Sequence, residues 1–134
     1  MALKYHFNDA IADRVLARDK LYASKLAHKK RKLLANEGAN LVLAARSIDE
    51  LEKVSTDIAA LGVKAIAVRC DVSKPDDRAE LVRRAEAEFG SVDILVNNAG
   101  IERVARFDTV DPAAIVESLD VNLQSPMLLT QLVL

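Results

Sequence analysis

The chain has 134 residues, of which 51% are hydrophobic and 4% aromatic, and its formal net charge at pH 7 is −1. This length fits one domain with a buried core, and a near-neutral chain has no overall charge to attract nucleic acid or a membrane. The single cysteine, Cys70, excludes an internal disulfide and favours the reducing cytoplasm. We therefore expect a cytoplasmic protein with neither a nucleic-acid nor a membrane partner.

The charge is divided unevenly along the chain. Residues 1–37 contain nine Lys or Arg and four Asp or Glu, whereas residues 38–134 contain ten and sixteen. An alanine-rich pattern over residues 9–36, with apolar side chains roughly in helical phase, predicts one long helix. We therefore predict an atypical basic helical segment over residues 1–37 and a separate domain over residues 38–134. The basic run at 28–32 predicts a solvated helix face, with a nucleic-acid or acidic-partner patch as the alternative.

Beyond Gly38, short apolar runs alternate with amphipathic segments. The apolar runs predict strands at Leu41–Ala45, Lys64–Arg69 and Asp93–Val96. Strands that alternate with helices of this length are typical of βαβ units. The pattern therefore predicts an α/β fold with a three-stranded parallel sheet and flanking helices.

Three helices are predicted between and after these strands. The first begins at Ser47, where Glu50 three residues later completes a capping-box pattern. The second ends at Gly90, a residue that favours helix C-termini. The third begins after Asp111, whose side chain is expected to cap it, and continues to the end of the chain.

Several groups of residues match the motifs of one enzyme family. They are Asp71-Val72 after the second predicted strand, the run Phe89-Gly90 with Val92-Asp93-Ile94-Leu95-Val96, Asn97-Asn98-Ala99-Gly100 directly after it, and Val121-Asn122-Leu123 in the last helix. Together these motifs resemble the short-chain dehydrogenase/reductase family, whose members are Rossmann-fold, NAD(P)-dependent oxidoreductases that interconvert alcohols and carbonyls. The resemblance covers Gly38–Leu134 and implies a truncated Rossmann-type parallel sheet.

The resemblance also implies roles for individual residues. Asp71, with Val72, would lie at the adenine, and the Asp71 carboxylate would accept from its amino group. Asn97-Asn98-Ala99-Gly100 would shape the adenosine end of the cofactor site, so Asn98, Ala99 and Gly100 are candidate cofactor-binding residues. Asn122 would be the asparagine of the catalytic tetrad.

The residue that follows the first predicted strand bears on the choice of cofactor. In the family, an acidic residue at the end of this strand binds the ribose hydroxyls of NAD, and here that position is Ala45. The next residue, Arg46, can pair with a 2′-phosphate through charge-assisted hydrogen bonds. The resemblance therefore implies NADP in preference to NAD.

Two departures from the family pattern limit this expectation. The register of the Gly-rich phosphate loop falls on Lys20–Ala27, which contains no glycine, so we expect cofactor binding to be weakened or lost. The family's Ser and its Tyr-x-x-x-Lys would follow Leu134. We therefore expect the N-terminal part of such an oxidoreductase, inactive as this isolated chain, with an N-terminal segment that arose by truncation, frameshift, fusion or altered splicing.

The alternative is a non-catalytic binding or dimerisation module of the same ancestry. It would form a homo-oligomer, or associate with a full-length relative, through the C-terminal helix that contains Asn122. A third possibility is a poorly folded chain, because unpaired strands expose their edges. No metal site is expected, because His6 and His28 lack ligand spacing.

Overall fold

A computed structural model describes residues 29–102 and 105–134 of the chain. Helical residues 29–36 precede β1 (Leu41–Ala45), α1 (Ile48–Ala59), β2 (Ala65–Arg69) and α2 (Pro75–Phe89). A 3-10 turn (Phe107–Thr109) is followed by α3 (Pro112–Leu119), a π-helical turn (Asp120–Gln124) and α4 (Ser125–Val133). The helix predicted over residues 9–36 is confirmed at 29–36, and its remainder lies outside the described residues.

The two strands form a parallel pair. Leu41 lies opposite Ala65 at one end of the pairing, and Ala45 lies opposite Arg69 at the other. A further bond from the Cys70 N–H to the Ala45 carbonyl, 2.9 Å long, extends the pairing by one residue. The connection between the strands is α1, so β1, α1 and β2 form the predicted βαβ unit.

The strand predicted at Asp93–Val96 is not formed, which corrects the three-stranded sheet expected from the sequence. Within the part of the chain that the structure describes, the sheet has two strands, and residues 93–96 belong to neither. None of the backbone–backbone hydrogen bonds of the described residues involves this segment, and a strand exists only where its ladder has a partner. Leu95 still packs against the core, whereas Ile94 and Val96 are 48% and 49% exposed.

The core lies on both faces of the sheet. One buried cluster joins the sheet to α2 and α4 and consists of Val68, Cys70, Leu81, Val82 and Leu129. Val42 packs against this cluster, whereas its neighbour Leu43 points to the other face and is also buried. On α1, which contacts both strands, Leu51 and Ile58 are buried outside that cluster. Helices therefore cover both faces, as in α/β folds.

Cys70 is a core residue, as predicted, and it is 2% exposed. Burial, with the nearby Asp77 and Asp71 carboxylates, raises the pKa of its thiol to about 11. The side chain is therefore a protonated thiol at neutral pH and has no nucleophilic character. Among residues 29–102 and 105–134, no helix has the length and apolar character needed to cross a bilayer.

The helix termini only partly follow the predictions. Asp111 caps α3 as predicted and accepts from the Ala113 N–H at 2.9 Å. Gly90 ends α2 with a φ of +87°, which only glycine adopts readily. Ser47 is the N-cap residue of α1, as predicted, but the predicted capping box is wrong, because the Ser47 side chain makes no capping hydrogen bond. This terminus is exposed, so water can satisfy the first N–H groups of α1.

The last predicted helix is interrupted by the π-helical turn, which is a second correction. Here the Ser125 N–H donates to the Asp120 carbonyl, five residues earlier. The next residue, Pro126, has no N–H, and its ring would clash with the Asn122 carbonyl in a regular α-helix. The wider π turn accommodates this proline and brings Asn122 to the point where the helix widens.

Candidate functional site

Arg46 and Asp71 lie at the same edge of the sheet. Arg46 directly follows β1, and Asp71 follows β2 after one intervening residue. The two strands are parallel and paired through Ala45 and Arg69, so their carboxyl ends meet at one edge. In open α/β sheets, this edge is where ligands bind.

The Asp71 carboxyl is held in its charged form. Its pKa lies below its usual value, chiefly because the Ser73 hydroxyl donates to Asp71 Oδ1 at 2.8 Å. The Ser73 N–H, 3.2 Å from the same oxygen, lowers the pKa further, as do the positive charges of Arg46 and Lys74. Arg46 and Asp71 are thus placed at the same sheet edge by the parallel pairing of the strands that precede them.

The backbone on either side of Asp71 is fixed by the first turn of α2. The Asp71 N–H donates to Asp77 Oδ2 at 2.8 Å, and the Val72 carbonyl accepts from Arg78 Nη1 at 2.6 Å. The Val72 side chain packs against the core cluster. Among the hydrogen bonds of the described residues, none uses Oδ2 of Asp71, so this oxygen remains an acceptor for a ligand.

The segment Asn97–Gly100 packs beside the C-terminal helix. Asn97 Nδ2 donates to Thr130 Oγ1 at 3.2 Å, and that hydroxyl donates to the Pro126 carbonyl at 2.7 Å. Asn98 and Ala99 are exposed. The predicted cofactor-binding tetrapeptide is therefore anchored at its first residue and open to solvent at the next two.

Asn122 makes two hydrogen bonds to the residue that follows this tetrapeptide. Its Oδ1 accepts from the Ile101 N–H, and its Nδ2 donates to the Ile101 carbonyl, both at 2.8 Å. A Cβ at Gly100 would lie 3.3 Å from Asn122 Oδ1, so glycine permits this close approach. The structure thus places the predicted catalytic asparagine against the predicted cofactor loop.

The predicted site residues form two groups. The first group follows the ends of the paired strands and comprises Arg46, Asp71 and Val72. The second group comprises Asn98–Gly100 in the 97–102 loop and Asn122 in the π turn. Among the hydrogen bonds of residues 29–102 and 105–134, none joins the two groups. The register of the Gly-rich loop, residues 20–27, lies outside the described residues.

Four residues that support the site were not identified from the sequence: Ser73, Asp77, Arg78 and Thr130. The spacing of Asp71 and Ser73 is that of an Asx or ST turn and could have indicated their hydrogen bonds. Arg78 lies in helical phase with the buried Leu81, Val82 and Ala85, a position that should have stood out as unusual for a charged residue. Thr130 carries no comparable signal, because its partner lies 33 residues away.

A groove lies between the start of α2 on one side and α3 with the π turn on the other. Its volume is about 470 Å³, and it is lined by Ser73, Pro75, Arg78, Val116, Leu119, Asp120 and Gln124. It includes neither Arg46 nor Asp71. Within the described residues, no three His, Cys, Asp or Glu side chains come together in a way that could hold a metal ion.

Comparisons with known proteins define the family. The model of the short chain dehydrogenase family matches residues 24–134, which is well over half of the chain. The chain therefore belongs to the short-chain dehydrogenase family, and its α/β fold is of the Rossmann type. The match begins within the predicted basic segment and thus extends beyond the Gly38–Leu134 region identified from motifs.

Individual relatives agree with this assignment. The alcohol dehydrogenase from the archaeon Thermococcus sibiricus, complexed with 5-hydroxy-NADP, has a TM-score of 0.75 and 30% identity, over 80% of this chain and 46% of that one. The 3-oxoacyl-(acyl-carrier-protein) reductase FabG of Staphylococcus epidermidis is 44% identical over 71 residues, 52% of this chain and 29% of that protein. The ketoacyl reductase HetN of Nostoc is 38% identical over 101 residues, which are 75% of this chain and 35% of that protein. The chain spans about a third of the length of these curated relatives.

Proposed function

We propose that the sheet edge beyond β1 and β2 binds the adenosine half of NADP(H) in an oxidoreductase that interconverts an alcohol and a carbonyl compound. The proposal rests on the placement of Arg46 and Asp71 after two paired parallel strands, at one carboxyl edge of the sheet. It is supported by family membership and by the similar alcohol dehydrogenase that was solved with 5-hydroxy-NADP.

The residues present fit the adenosine half of this cofactor. The free Oδ2 of Asp71 is an acceptor suited to the amino group of adenine. The exposed Arg46 supplies a planar set of donors that matches a phosphate group. Ala45 adds no carboxylate that would bind the ribose hydroxyls or repel a 2′-phosphate. This combination favours NADP over NAD.

We propose that the second group of residues contributes to the same cofactor site. Asn98, Ala99 and Gly100 are exposed, and the Asn122 carboxamide holds the backbone immediately after them. We assign Asn122 the role of orienting this loop, because both ends of its carboxamide are used by Ile101. The bound cofactor would supply or accept the hydride.

Binding and hydride transfer are separable in this chain. The 134 residues contain no Tyr-x-x-x-Lys sequence, so we propose that they bind cofactor without reducing a carbonyl on their own. The lack of glycine in residues 20–27 implies weaker binding, since fewer backbone N–H groups can approach the pyrophosphate. The buried thiol of Cys70 fits the proposed reducing, cytoplasmic setting.

Calorimetric titration with NADPH and NADH tests this proposal. We expect NADPH to bind more tightly by about ten- to hundredfold, the range for one or two charge-assisted hydrogen bonds. Arg46→Ala should abolish that preference, whereas Arg84→Ala, which removes an exposed arginine of α2, should retain it. Equal affinity for the two cofactors, or no binding by the folded chain, contradicts the proposal.

A second candidate function is self-association through the C-terminal helix. Four large apolar side chains are exposed along α3, the π turn and the start of α4: Val116, Leu119, Leu123 and Met127 are 66%, 56%, 56% and 64% exposed. Exposed apolar side chains that are grouped along one helical region are typical of an interface. We propose that this region pairs with the same region of a second copy or of a full-length relative. Sedimentation equilibrium of the wild type and of Leu123→Glu tests this, and a wild-type monomer at high micromolar concentration contradicts pairing with a second copy.

A further inference from the structure

Two neighbouring residues in the first turn of α2 hold the loop that carries Asp71. The Asp77 carboxylate accepts from the Asp71 N–H at 2.8 Å, and the Arg78 guanidinium donates to the Val72 carbonyl at 2.6 Å. Together they satisfy one donor and one acceptor of the same dipeptide. We refer to these two hydrogen bonds as the loop clamp.

The burial of Arg78 indicates that the clamp is more than a surface contact. Arg78 is 5% exposed and shares its helix face with Leu81, Val82 and Ala85. A buried guanidinium is costly unless it is hydrogen-bonded, and an apolar side chain would fill this position without that cost. Its Nε has no hydrogen-bond partner, so the bond to Val72 is the principal polar contact that the position provides.

The position of Asp77 supports the same view. An acidic residue in the first turn also stabilises a helix through its favourable interaction with the helix dipole. The exposed Asp76 already provides that interaction. Asp77 instead directs one oxygen at the backbone of Asp71. Because Ser73 occupies Asp71 Oδ1, the Asp71 side chain is fixed with Oδ2 free.

We propose that Asp77 and Arg78 are positioning residues that hold the Asp71–Val72 loop so that Asp71 selects the 6-amino group of adenine. This inference rests on the proposed function, because it assigns to Asp71 the adenine of the cofactor. A preorganised acceptor discriminates more strongly than a mobile one, since binding then carries no cost of ordering the loop. The clamp residues need not touch the ligand to set that discrimination.

Comparison of two dinucleotides measures the selection directly. NADPH carries the 6-amino group, whereas reduced nicotinamide hypoxanthine dinucleotide phosphate carries a carbonyl oxygen there, which cannot donate to Asp71. We expect the wild type to prefer NADPH by about tenfold or more. Both ligands bind the same folded protein, so the ratio of the two affinities does not change when a variant is merely less stable.

Variants of Asp77, Arg78 and Asp76 distinguish loss of the loop clamp from a general loss of stability or of charge. Asp77→Ala and Arg78→Met each remove one clamp bond and should reduce the affinity ratio toward one. Asp77→Asn keeps an acceptor for the Asp71 N–H and should retain the ratio. Asp76→Ala, a matched loss of charge one residue away, should also retain it. An unchanged ratio in both Asp77→Ala and Arg78→Met overturns the proposal.

Amide hydrogen exchange tests the clamp without any ligand. The Asp71 N–H should exchange faster in Asp77→Ala than in the wild type, whereas the Cys70 N–H, bonded to the Ala45 carbonyl, should be unaffected. Equal exchange of the Asp71 N–H in both proteins overturns the clamp. A wild type that binds neither dinucleotide overturns the adenine assignment together with the proposed function, and the exchange result then separates that failure from failure of the clamp.

Discussion

The Asn122 carboxamide binds both backbone polar groups of Ile101, accepting from its N–H and donating to its carbonyl, each at 2.8 Å. Two opposed residues of an antiparallel ladder exchange hydrogen bonds in the same way, but here one partner is a side chain. The contact joins the 97–102 loop to the π turn of the C-terminal helix. It thereby links the predicted catalytic asparagine to the predicted cofactor loop.

Replacement of Asn122 should release this loop. Asn122→Ala removes two hydrogen bonds, each contributing about 0.5–1.5 kcal/mol, so we expect a loss of about 1–3 kcal/mol in the free energy of unfolding measured with urea. The Ile101 N–H should exchange faster with solvent. Asn122→Asp keeps the acceptor for that N–H but loses the donor, and should preserve slow exchange at Ile101. Slow exchange in Asn122→Ala would contradict the tether.

Gly100 should be sensitive to substitution only while Asn122 is present. A Cβ at Gly100 would lie 3.3 Å from Asn122 Oδ1, so Gly100→Ala should push the carboxamide away and cost about 0.5–1.5 kcal/mol of one hydrogen bond. In the Asn122→Ala background, the same substitution should cost almost nothing. A double-mutant cycle measures this coupling, and additive effects would contradict it.

A second glycine serves as a control for that cycle. Gly62 has a φ of +89°, and a Cβ added there would meet no atom within 4 Å. Gly62→Ala should therefore destabilise through backbone strain alone, by about 1 kcal/mol. This cost should be the same with and without Asn122. Dependence of the Gly62 effect on Asn122 would indicate a global change in the fold.

Ser73 should control the ionisation of Asp71. Its hydroxyl is the main cause of the lowered pKa of that carboxyl, so Ser73→Ala should raise the pKa toward its usual value. Because the folded-state pKa is lowered, Asp71 stabilises the fold above its unfolded-state pKa, and that stability is lost as the pH falls through the folded-state value. A carboxyl-carbon NMR titration checks the shift, and an unchanged pKa in Ser73→Ala contradicts it.

Two isoleucines provide a matched test of the two-sided core and of the unpaired segment. Ile58 is 0% exposed on α1, whereas Ile94 in the predicted third strand is 48% exposed. Ile58→Ala should cost about 2–5 kcal/mol of unfolding free energy, and Ile94→Ala should cost less than half as much, since its side chain is only partly buried. Urea unfolding measures both. Equal costs would mean that Ile94 is packed as in a paired central strand.

Local sequence patterns predicted most of the fold. Continuous apolar runs indicated β1 and β2, and Asp111 and Gly90 correctly marked helix ends, because these signals act over a few residues. The strand predicted at Asp93–Val96 has the same apolar composition, but strand formation depends on a pairing partner elsewhere in the chain. Pro126 was a visible sign that the last helix could not remain regular.

One part of the candidate site could be predicted from the sequence: the residues that directly follow parallel strands, which must lie at one edge of the sheet. Arg46 and Asp71 follow two strands of one βαβ unit, so their proximity follows from topology. The loop clamp was not predictable in this way, because Asp77 and Arg78 belong to a helix start rich in charged residues. The contact between Asn122 and Ile101 spans 21 residues and depends on the three-dimensional packing of the last helix.

Backbone amide NMR of the chain titrated with NADPH locates the proposed cofactor site residue by residue. We expect saturable shift changes at Arg46, at Asp71–Ser73 and at Asn98–Ile101. Gly62 and Val63, which lie in the turn before β2 at the opposite end of the sheet, should change little. Shift changes confined to other surfaces, or none at millimolar NADPH in a folded chain, would contradict a cofactor site at this edge.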